Sequence, residues 1–155
     1  GQGLGDLFGD SDRSASVELL QWTARAREAS RKLSFPGSVE AIESLGAGWT
    51  GEEALAISLC CALAVEEGTS KEIAKALWAA VAHGGDSDST AAITGNILGA
   101  VYGIDALPKE WATTVELRDI VERLASDLHS VSCCDKNWTL IAIRRIERKG
   151  KPPSR

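Results

Sequence analysis

A threonine followed three residues later by a glutamate stands ahead of three segments of this chain that have helical spacing. The pairs are Thr50 with Glu53, Thr69 with Glu72, and Thr113 with Glu116. In such a capping box the threonine hydroxyl accepts a hydrogen bond from the glutamate N–H, and the glutamate carboxylate reaches back to the threonine N–H. Because these are amide groups that a helix start leaves without partners, three boxes predict an all-α protein.

The spacing of apolar residues predicts where the helices run. In the segment 15–33 they recur every three or four residues, which is the period of an amphipathic helix. The segment 51–66 is apolar on nearly every side, so we expect it to lie at the centre of the fold. The predicted helices cover residues 15–33, 38–45, 51–66, 70–81, a stretch capped by Ser87 or Asp88, and residues 114–130.

Two of these helices carry more detailed predictions. Gly95, Gly99 and Gly103 recur at every fourth position. An interior glycine costs about 1 kcal/mol against alanine, so we expect a neighbouring helix or a ligand to come close to this stripe. In the last helix the residues expected to form a buried stripe are Leu117, Ile120, Val121, Leu124 and Leu128.

Length and composition indicate one domain. The chain has 155 residues, of which 44% are hydrophobic and 25% charged, and a chain of this size builds one core. Residues 1–14 are predicted to be a flexible leader, residues 15–135 a helical domain, and residues 136–155 a basic tail. The expected fold is therefore an all-α, compact multi-helix bundle.

Charge is unevenly distributed along the chain. The segment 136–155 holds seven basic residues against Glu147 and has a net charge of +6, whereas the other 135 residues sum to −11. No aromatic residues interleave with the basic cluster to stack on bases, so a solvated tail is favoured over a nucleic-acid partner.

Several features predict a soluble, cytoplasmic protein. There is no apolar run of about 18 residues and no signal-peptide pattern at the N-terminus, so no membrane is expected as a partner. The four cysteines form two adjacent pairs, Cys60–Cys61 and Cys133–Cys134, without the spacing of a zinc or redox motif. All four are therefore expected to be reduced.

The stretch from His83 to Thr90 reads His-Gly-Gly-Asp-Ser-Asp-Ser-Thr and lies between two predicted helices. The glycine pair is expected to stop the first helix, and Asp88 or Ser87 to cap the second. The carboxylates of Asp86 and Asp88 would then lie at a helix N-terminus, where such a cluster suits a hard divalent cation. The same residue types are common in turns and caps, so a metal-free capped helix stays open as the alternative.

The residues that follow read Ala-Ala-Ile-Thr-Gly-Asn-Ile-Leu-Gly-Ala-Val-Tyr-Gly from position 91 to 103. Together the two stretches resemble the C-terminal signature of the ADP-ribosylglycohydrolase family. Two further blocks fall in the family's order, residues 46–49 with 53–55 before the signature and residues 107–108 with Trp111 after it. The resemblance covers about residues 45–128.

The resemblance implies an all-helical hydrolase that uses a pair of Mg²⁺ or Mn²⁺ ions. The bond cleaved would be the N- or O-glycosidic bond between ADP-ribose and a protein side chain or small acceptor. A divalent pair can hold ribose hydroxyls and orient a water toward the anomeric carbon. The resemblance places metal ligands at Asp86, Asp88 and Ser89, where serine stands in place of the family's usual threonine, and substrate contacts at Gly48, Trp49 and Gly85. It assigns no catalytic residue.

The family also carries a second metal-binding motif in an N-terminal half, and this sequence has nothing of that kind. We therefore expect a domain that is incomplete at its N-terminus and that needs a complementary N-terminal segment for activity. Two alternatives remain open, a non-catalytic module that binds ADP-ribose or a nucleotide and a metal-free helical interaction module. Glu53 would line the ligand site or complete its capping box, and His83 would pair with the C-terminal dipole of its helix.

Overall fold

The computed structural model describes residues 10–33 and 39–133, and all regular structure in these residues is helical. The helices are α1 (Asp10–Ser30), α2 (Val39–Glu43), α3 (Gly51–Leu63), α4 (Ser70–Val81), α5 (Ser87–Tyr102), a 3-10 turn (Ile104–Ala106), α6 (Lys109–Thr114) and α7 (Arg118–Cys133). The all-α prediction is confirmed. None of these helices is long and apolar enough to span a membrane.

The chain divides into two compact units, residues 1–109 and 110–155. This boundary falls inside the segment 15–135 that composition and length assigned to one domain. The start of α1 at Asp10 also makes residues 10–14 helical, although they were predicted to belong to a flexible leader. The rest of that leader and the basic tail 136–155 lie outside the described residues.

Helix α3 is the centre of the first unit, as its apolar sequence predicts, since it packs against α1, α4 and α5. Ile57, Cys60 and Cys61 of this helix are fully buried. Around them lies one core cluster that draws on α1, α2 and α4, and a second cluster joins the end of α3 to α4 and α5. The helix ends at Leu63, three residues before the predicted end.

The buried thiols of α3 are free and unreactive. Burial raises the pKa of Cys60 to about 11 and that of Cys61 to about 12. Because the thiolate is the reactive form, both side chains act as small hydrophobic residues of the core.

Only one of the three predicted capping boxes is complete. The Thr69 hydroxyl accepts from the Glu72 N–H at 3.3 Å, and the Glu72 carboxylate accepts from the Thr69 N–H at 3.0 Å. The latter bond, with further bonds from the Thr69 hydroxyl and the neighbouring loop, lowers the pKa of Glu72. Helix α4 accordingly has the predicted bounds, Ser70–Val81.

The third predicted box is wrong, because Thr113 lies inside α6 and its hydroxyl donates to the Glu110 carbonyl at 3.0 Å. Helix α7 begins later than predicted, at Arg118, after Leu117 with a positive φ of 59°. The predicted burial of the α7 stripe is also wrong for the part of the chain that the structure describes. Its five apolar residues, from Leu117 to Leu128, are 51–70% exposed, since periodicity identifies an apolar face but not a partner for it.

The glycine stripe of α5 does not mark a close approach in the described residues. A Cβ on Gly95 would meet only Leu77 Cδ2 at 3.7 Å, and a Cβ on Gly99 would meet nothing within 4 Å. Gly103 ends the helix with a φ of 77°, which is a conformation that favours glycine. The prediction of a close neighbouring helix is therefore wrong at Gly99, and the alternative of a ligand at the stripe stays a prediction.

We expect Gly99→Ala to stabilise the first unit by about 0.5–1 kcal/mol, because alanine restricts the unfolded chain and meets open space in the helix. The free energy of unfolding from urea denaturation measures this. Gly68→Ala is the matched control with the opposite expectation, since Gly68 has a φ of 71° and its Cβ would overlap the ring of Tyr102. A destabilising Gly99→Ala would mean that α5 packs against something at this position.

Candidate functional site

Two loops meet at the N-terminus of α5. We call residues 83–89 the acidic turn and residues 46–49 the glycine loop. The Asp86 N–H donates to the carbonyl of Ala47 at 2.8 Å, which joins the two loops by a backbone hydrogen bond. A Cβ on Gly85 would overlap that same carbonyl group, so only glycine allows this approach.

Glu53 fastens the glycine loop to the start of α3. Its Oε2 atom accepts from the N–H groups of Gly48 and Trp49, at 3.1 and 3.2 Å. The Thr50 hydroxyl does accept from the Glu53 N–H, but the carboxylate serves the loop instead of returning to Thr50. Glu53 therefore positions the glycine loop. Of the two hydrogen bonds in the predicted capping box at Thr50, only the one from the Glu53 N–H to the Thr50 hydroxyl forms.

Two of the predicted substrate contacts, Gly48 and Gly85, lie beside Asp86. Gly48 is buried with a φ of 81°, and a Cβ there would lie 3.0 Å from Thr90 Cγ2 and 3.6 Å from Asp86 Cβ. Its N–H is already bonded to Glu53, so its role is close packing of the loop. Trp49 beside it is 72% exposed, which leaves its indole face accessible at the edge of the site.

Helix α5 begins at Ser87, so its N-cap lies one residue before Ser87 and two residues before Asp88, the two predicted caps. Asp86 occupies the N-cap position and makes no side-chain capping bond, while Ser87 and Asp88 lie in the first turn. The prediction that Ser87 or Asp88 caps this helix is therefore wrong. Asp88 is exposed and Asp86 and Ser89 are partly exposed, so all three predicted ligands lie at the surface of the first unit.

The acidic turn favours the ionised form of Asp86. Hydrogen bonding with the Asp88 side chain is the largest cause, followed by the Ser89 hydroxyl, and these hold the pKa of Asp86 below its ordinary value. The two carboxyl groups and the hydroxyl are therefore close neighbours. Oxygen donors of this kind are those that Mg²⁺ and Mn²⁺ prefer. Within residues 10–33 and 39–133, no group of three or more acidic, histidine or cysteine side chains converges on one point.

His83 is the buried residue of the acidic turn, with 5% of its surface exposed. Its Nδ1 accepts from the Gly85 N–H at 3.2 Å, and its Nε2 lies 2.8 Å from the Thr90 hydroxyl. The prediction that it pairs with the dipole of its helix is wrong, because α4 ends at Val81 and the imidazole bonds to the turn instead.

Thr90 is the functional-site residue that the sequence analysis missed. It is fully buried, and its hydroxyl lies 2.8 Å from the Ala80 carbonyl as well as 2.8 Å from the His83 imidazole. A threonine in a helix does not by itself indicate a functional residue. The sequence shows only that Thr90 directly follows the acidic turn, which begins at His83.

Comparison with known proteins places the chain in context. A family model described as ADP-ribosylglycohydrolase matches residues 5–137, a longer stretch than the resemblance in the sequence motifs. The chain is 27% identical over 139 residues to ADP-ribosylhydrolase ARH3 of Homo sapiens, a match that covers 81% of this chain and 38% of the relative. It is 33% identical over 104 residues to ADP-ribosylhydrolase ARH3 of Danio rerio, covering 61% of this chain and 27% of that relative. No solved structure matches the chain.

The hydrogen bond between the two loops predicts that alanine at Gly85 and alanine at Gly84 have very different effects on stability. Gly85→Ala should destabilise the first unit by about 2 kcal/mol or more, since its Cβ would overlap the Ala47 backbone and separate the loops. Gly84→Ala should be nearly neutral, because the nearest atom to its Cβ is Glu43 Oε1 at 4.0 Å. Urea denaturation of both variants measures the contrast, and equal effects would contradict the loop pairing.

Proposed function

Because this chain belongs to the ADP-ribosylglycohydrolase family, we propose that it provides one half of a metal-dependent site that cleaves ADP-ribose from a modified group. The bond is the N- or O-glycosidic bond between the anomeric carbon of ADP-ribose and a protein side chain or small acceptor. The chain spans 38% of the length of the human relative and 27% of the zebrafish relative. The activity proposed is therefore that of the complete site.

The observation that carries this proposal is the oxygen cluster at the start of α5. Asp86, Asp88 and Ser89 would be the ligands, since they neighbour one another at a helix N-terminus and hydrogen bonding with Asp88 and Ser89 lowers the pKa of Asp86. A helix N-terminus alone favours one negative charge, and a second carboxylate beside it favours a cation. The donor set thus fits a Mg²⁺ or Mn²⁺ site in chemistry.

The donor set of this chain is incomplete for two ions. Two carboxylates and one hydroxyl fill part of a shell that takes six oxygen ligands around Mg²⁺. A binuclear site would draw the remaining ligands from a complementary N-terminal segment. When bound, the ions would supply Lewis-acid stabilisation of the ribose hydroxyls and of the attacking water.

The residues around the cluster support a substrate role for the same face. The exposed indole of Trp49 offers an apolar surface on which an adenine ring can stack. Gly85 brings backbone, without a side chain, to the point where the loops meet. We propose that Trp49 takes the adenosine side of ADP-ribose and that Asp86 and Asp88 take the ribose side, whose anomeric carbon develops oxocarbenium character during cleavage.

A non-catalytic module that binds ADP-ribose is the second candidate. It is favoured by the absence of a third acidic or histidine ligand at the cluster among the described residues. Such a module would keep the Trp49 surface and one weakly held ion, and it would have no means of positioning the attacking water.

We predict that this chain alone binds Mg²⁺ or Mn²⁺ with a Kd on the order of 1 mM, because affinity rises with the number and charge of the ligands. Isothermal titration calorimetry measures it. The Asp86→Ala, Asp88→Ala double variant should give no binding heat. The matched control is Glu66→Ala, Glu67→Ala, which removes two adjacent exposed carboxylates at the opposite end of α4. Identical heats for wild type and the Asp86, Asp88 double variant would overturn the metal assignment.

We predict little or no turnover by this chain alone, because half of the ligands cannot position both the sugar and the water. The assay is release of free ADP-ribose from an ADP-ribosylated protein in Mg²⁺. Addition of the family's N-terminal segment, in trans or fused, should restore release in wild type but not in Asp86→Ala or Asp88→Ala.

Two outcomes would contradict this activity prediction. Robust turnover by the chain alone would mean that its own residues complete the site. The absence of turnover in every combination, with ADP-ribose still bound, would favour the binding module.

A further inference from the structure

A chain of three hydrogen bonds runs through the buried side of the acidic turn. The Gly85 N–H donates to His83 Nδ1, His83 Nε2 bonds to the Thr90 hydroxyl, and that hydroxyl donates to the Ala80 carbonyl at 2.8 Å. His83 and Thr90 are 5% and 0% exposed. None of these bonds is part of the ligand set proposed above.

The direction of the chain is determined by its ends. Because an N–H can only donate, His83 Nδ1 must accept from Gly85, and in a neutral imidazole the proton then sits on Nε2. Nε2–H therefore donates to the Thr90 oxygen, which leaves the single hydroxyl proton of Thr90 for a carbonyl. The Ala80 carbonyl is nearest at 2.8 Å, and those of Asp86 and Ser87 lie at 3.1 and 3.2 Å. Burial makes the loss of any of these hydrogen bonds expensive.

We propose that His83 and Thr90 form a positioning pair, which holds the backbone of the acidic turn, and with it Asp86 and Asp88, in place before any ligand binds. His83 holds the turn by accepting a hydrogen bond from the Gly85 amide. Thr90 anchors His83 to the end of α4 through Ala80, and its own N–H bonds the Asp86 carbonyl at 3.2 Å. The effect on ligand binding rests on the proposed function, whereas the effect on the turn does not.

The chain offers a matched pair of variants. Thr90→Val and Thr94→Val both replace a fully buried threonine hydroxyl by a methyl group of similar size. The Thr94 hydroxyl donates to the Thr90 carbonyl at 2.7 Å, and that carbonyl keeps a second donor in the Ser58 hydroxyl at 3.0 Å. Thr94→Val therefore loses a buried hydrogen bond without touching the chain to Gly85. Thr90→Ser retains the hydroxyl and serves as the rescue variant.

The first readout is amide hydrogen exchange at Gly85 and Asp86, followed by NMR in the absence of metal. Thr90→Val should raise exchange at these two amides by about fivefold, as expected for the loss of one net hydrogen bond of about 1 kcal/mol. Thr94→Val and Thr90→Ser should leave both rates near those of wild type. Equal acceleration in Thr90→Val and Thr94→Val would overturn the proposal, since both would then act through general stability.

The second readout needs no variant. The ¹⁵N shifts of the His83 ring in the wild-type chain should report the neutral tautomer with its proton on Nε2 and with Nδ1 as acceptor. A proton on Nδ1 would overturn the proposal, because the Gly85 amide would then have no acceptor. This measurement decides the question even if Thr90→Val fails to fold.

The third readout is titration of Mn²⁺ by calorimetry. The wild-type affinity should fall about tenfold in Thr90→Val and stay within about twofold in Thr94→Val and Thr90→Ser, because a mobile turn must be ordered on binding. Unchanged affinity in Thr90→Val would overturn the proposal. If wild type bound no Mn²⁺, the metal assignment would fail, while contrasting exchange rates and the Nε2–H tautomer would still sustain the positioning of the turn.

Discussion

The interaction on which the site depends is the set of buried hydrogen bonds at Thr90. Its carbonyl accepts from the hydroxyls of Ser58 in α3 and Thr94 in α5, and its own hydroxyl meets His83 and Ala80. Thr90 therefore links α3, α5 and the end of α4 to the acidic turn, which lies between α4 and α5. An unpaired polar group at this depth would cost roughly 1–3 kcal/mol, so the helices must keep the positions in which all of these bonds form.

The support continues outward from Thr90 to the surface. Gly85 and Asp86 rest on the glycine loop through the Ala47 carbonyl, and Glu53 holds that loop on the first turn of α3. Each step is a contact with backbone, which leaves the side chains of Asp86 and Asp88 toward the surface. The groups that position the turn are buried, and the groups that would bind a ligand lie at the surface. A preorganised site requires this arrangement.

Sequence patterns within one helical turn predicted part of this architecture. They failed where contacts between distant segments determine the hydrogen-bond partners or the burial of a side chain. The box at Thr69 and the bounds of α4 follow from residues within one helical turn, so they were predictable. Glu53 has the same local pattern, but its carboxylate bonds to the loop because Gly48 and Trp49 fold back over it. The motif identified the acidic turn, yet no periodicity reveals the bonds between His83 and Thr90. The stripe of α7 shows the same limit, since its spacing predicts an apolar face and says nothing of what contacts it.

An incomplete ligand set on a rigid support has a different consequence from the same set on a loose loop. Ordering a turn during binding subtracts from the affinity of whatever arrives, whether an ion, ADP-ribose or a second polypeptide segment. Here the backbone of the turn is held by residues that are not proposed metal ligands, such as Thr90 and Ala47. A complementary segment would then have to supply only its own oxygens in the right place. Half of the proposed binuclear site could therefore keep its shape within one chain, while its chemistry would depend on the other half.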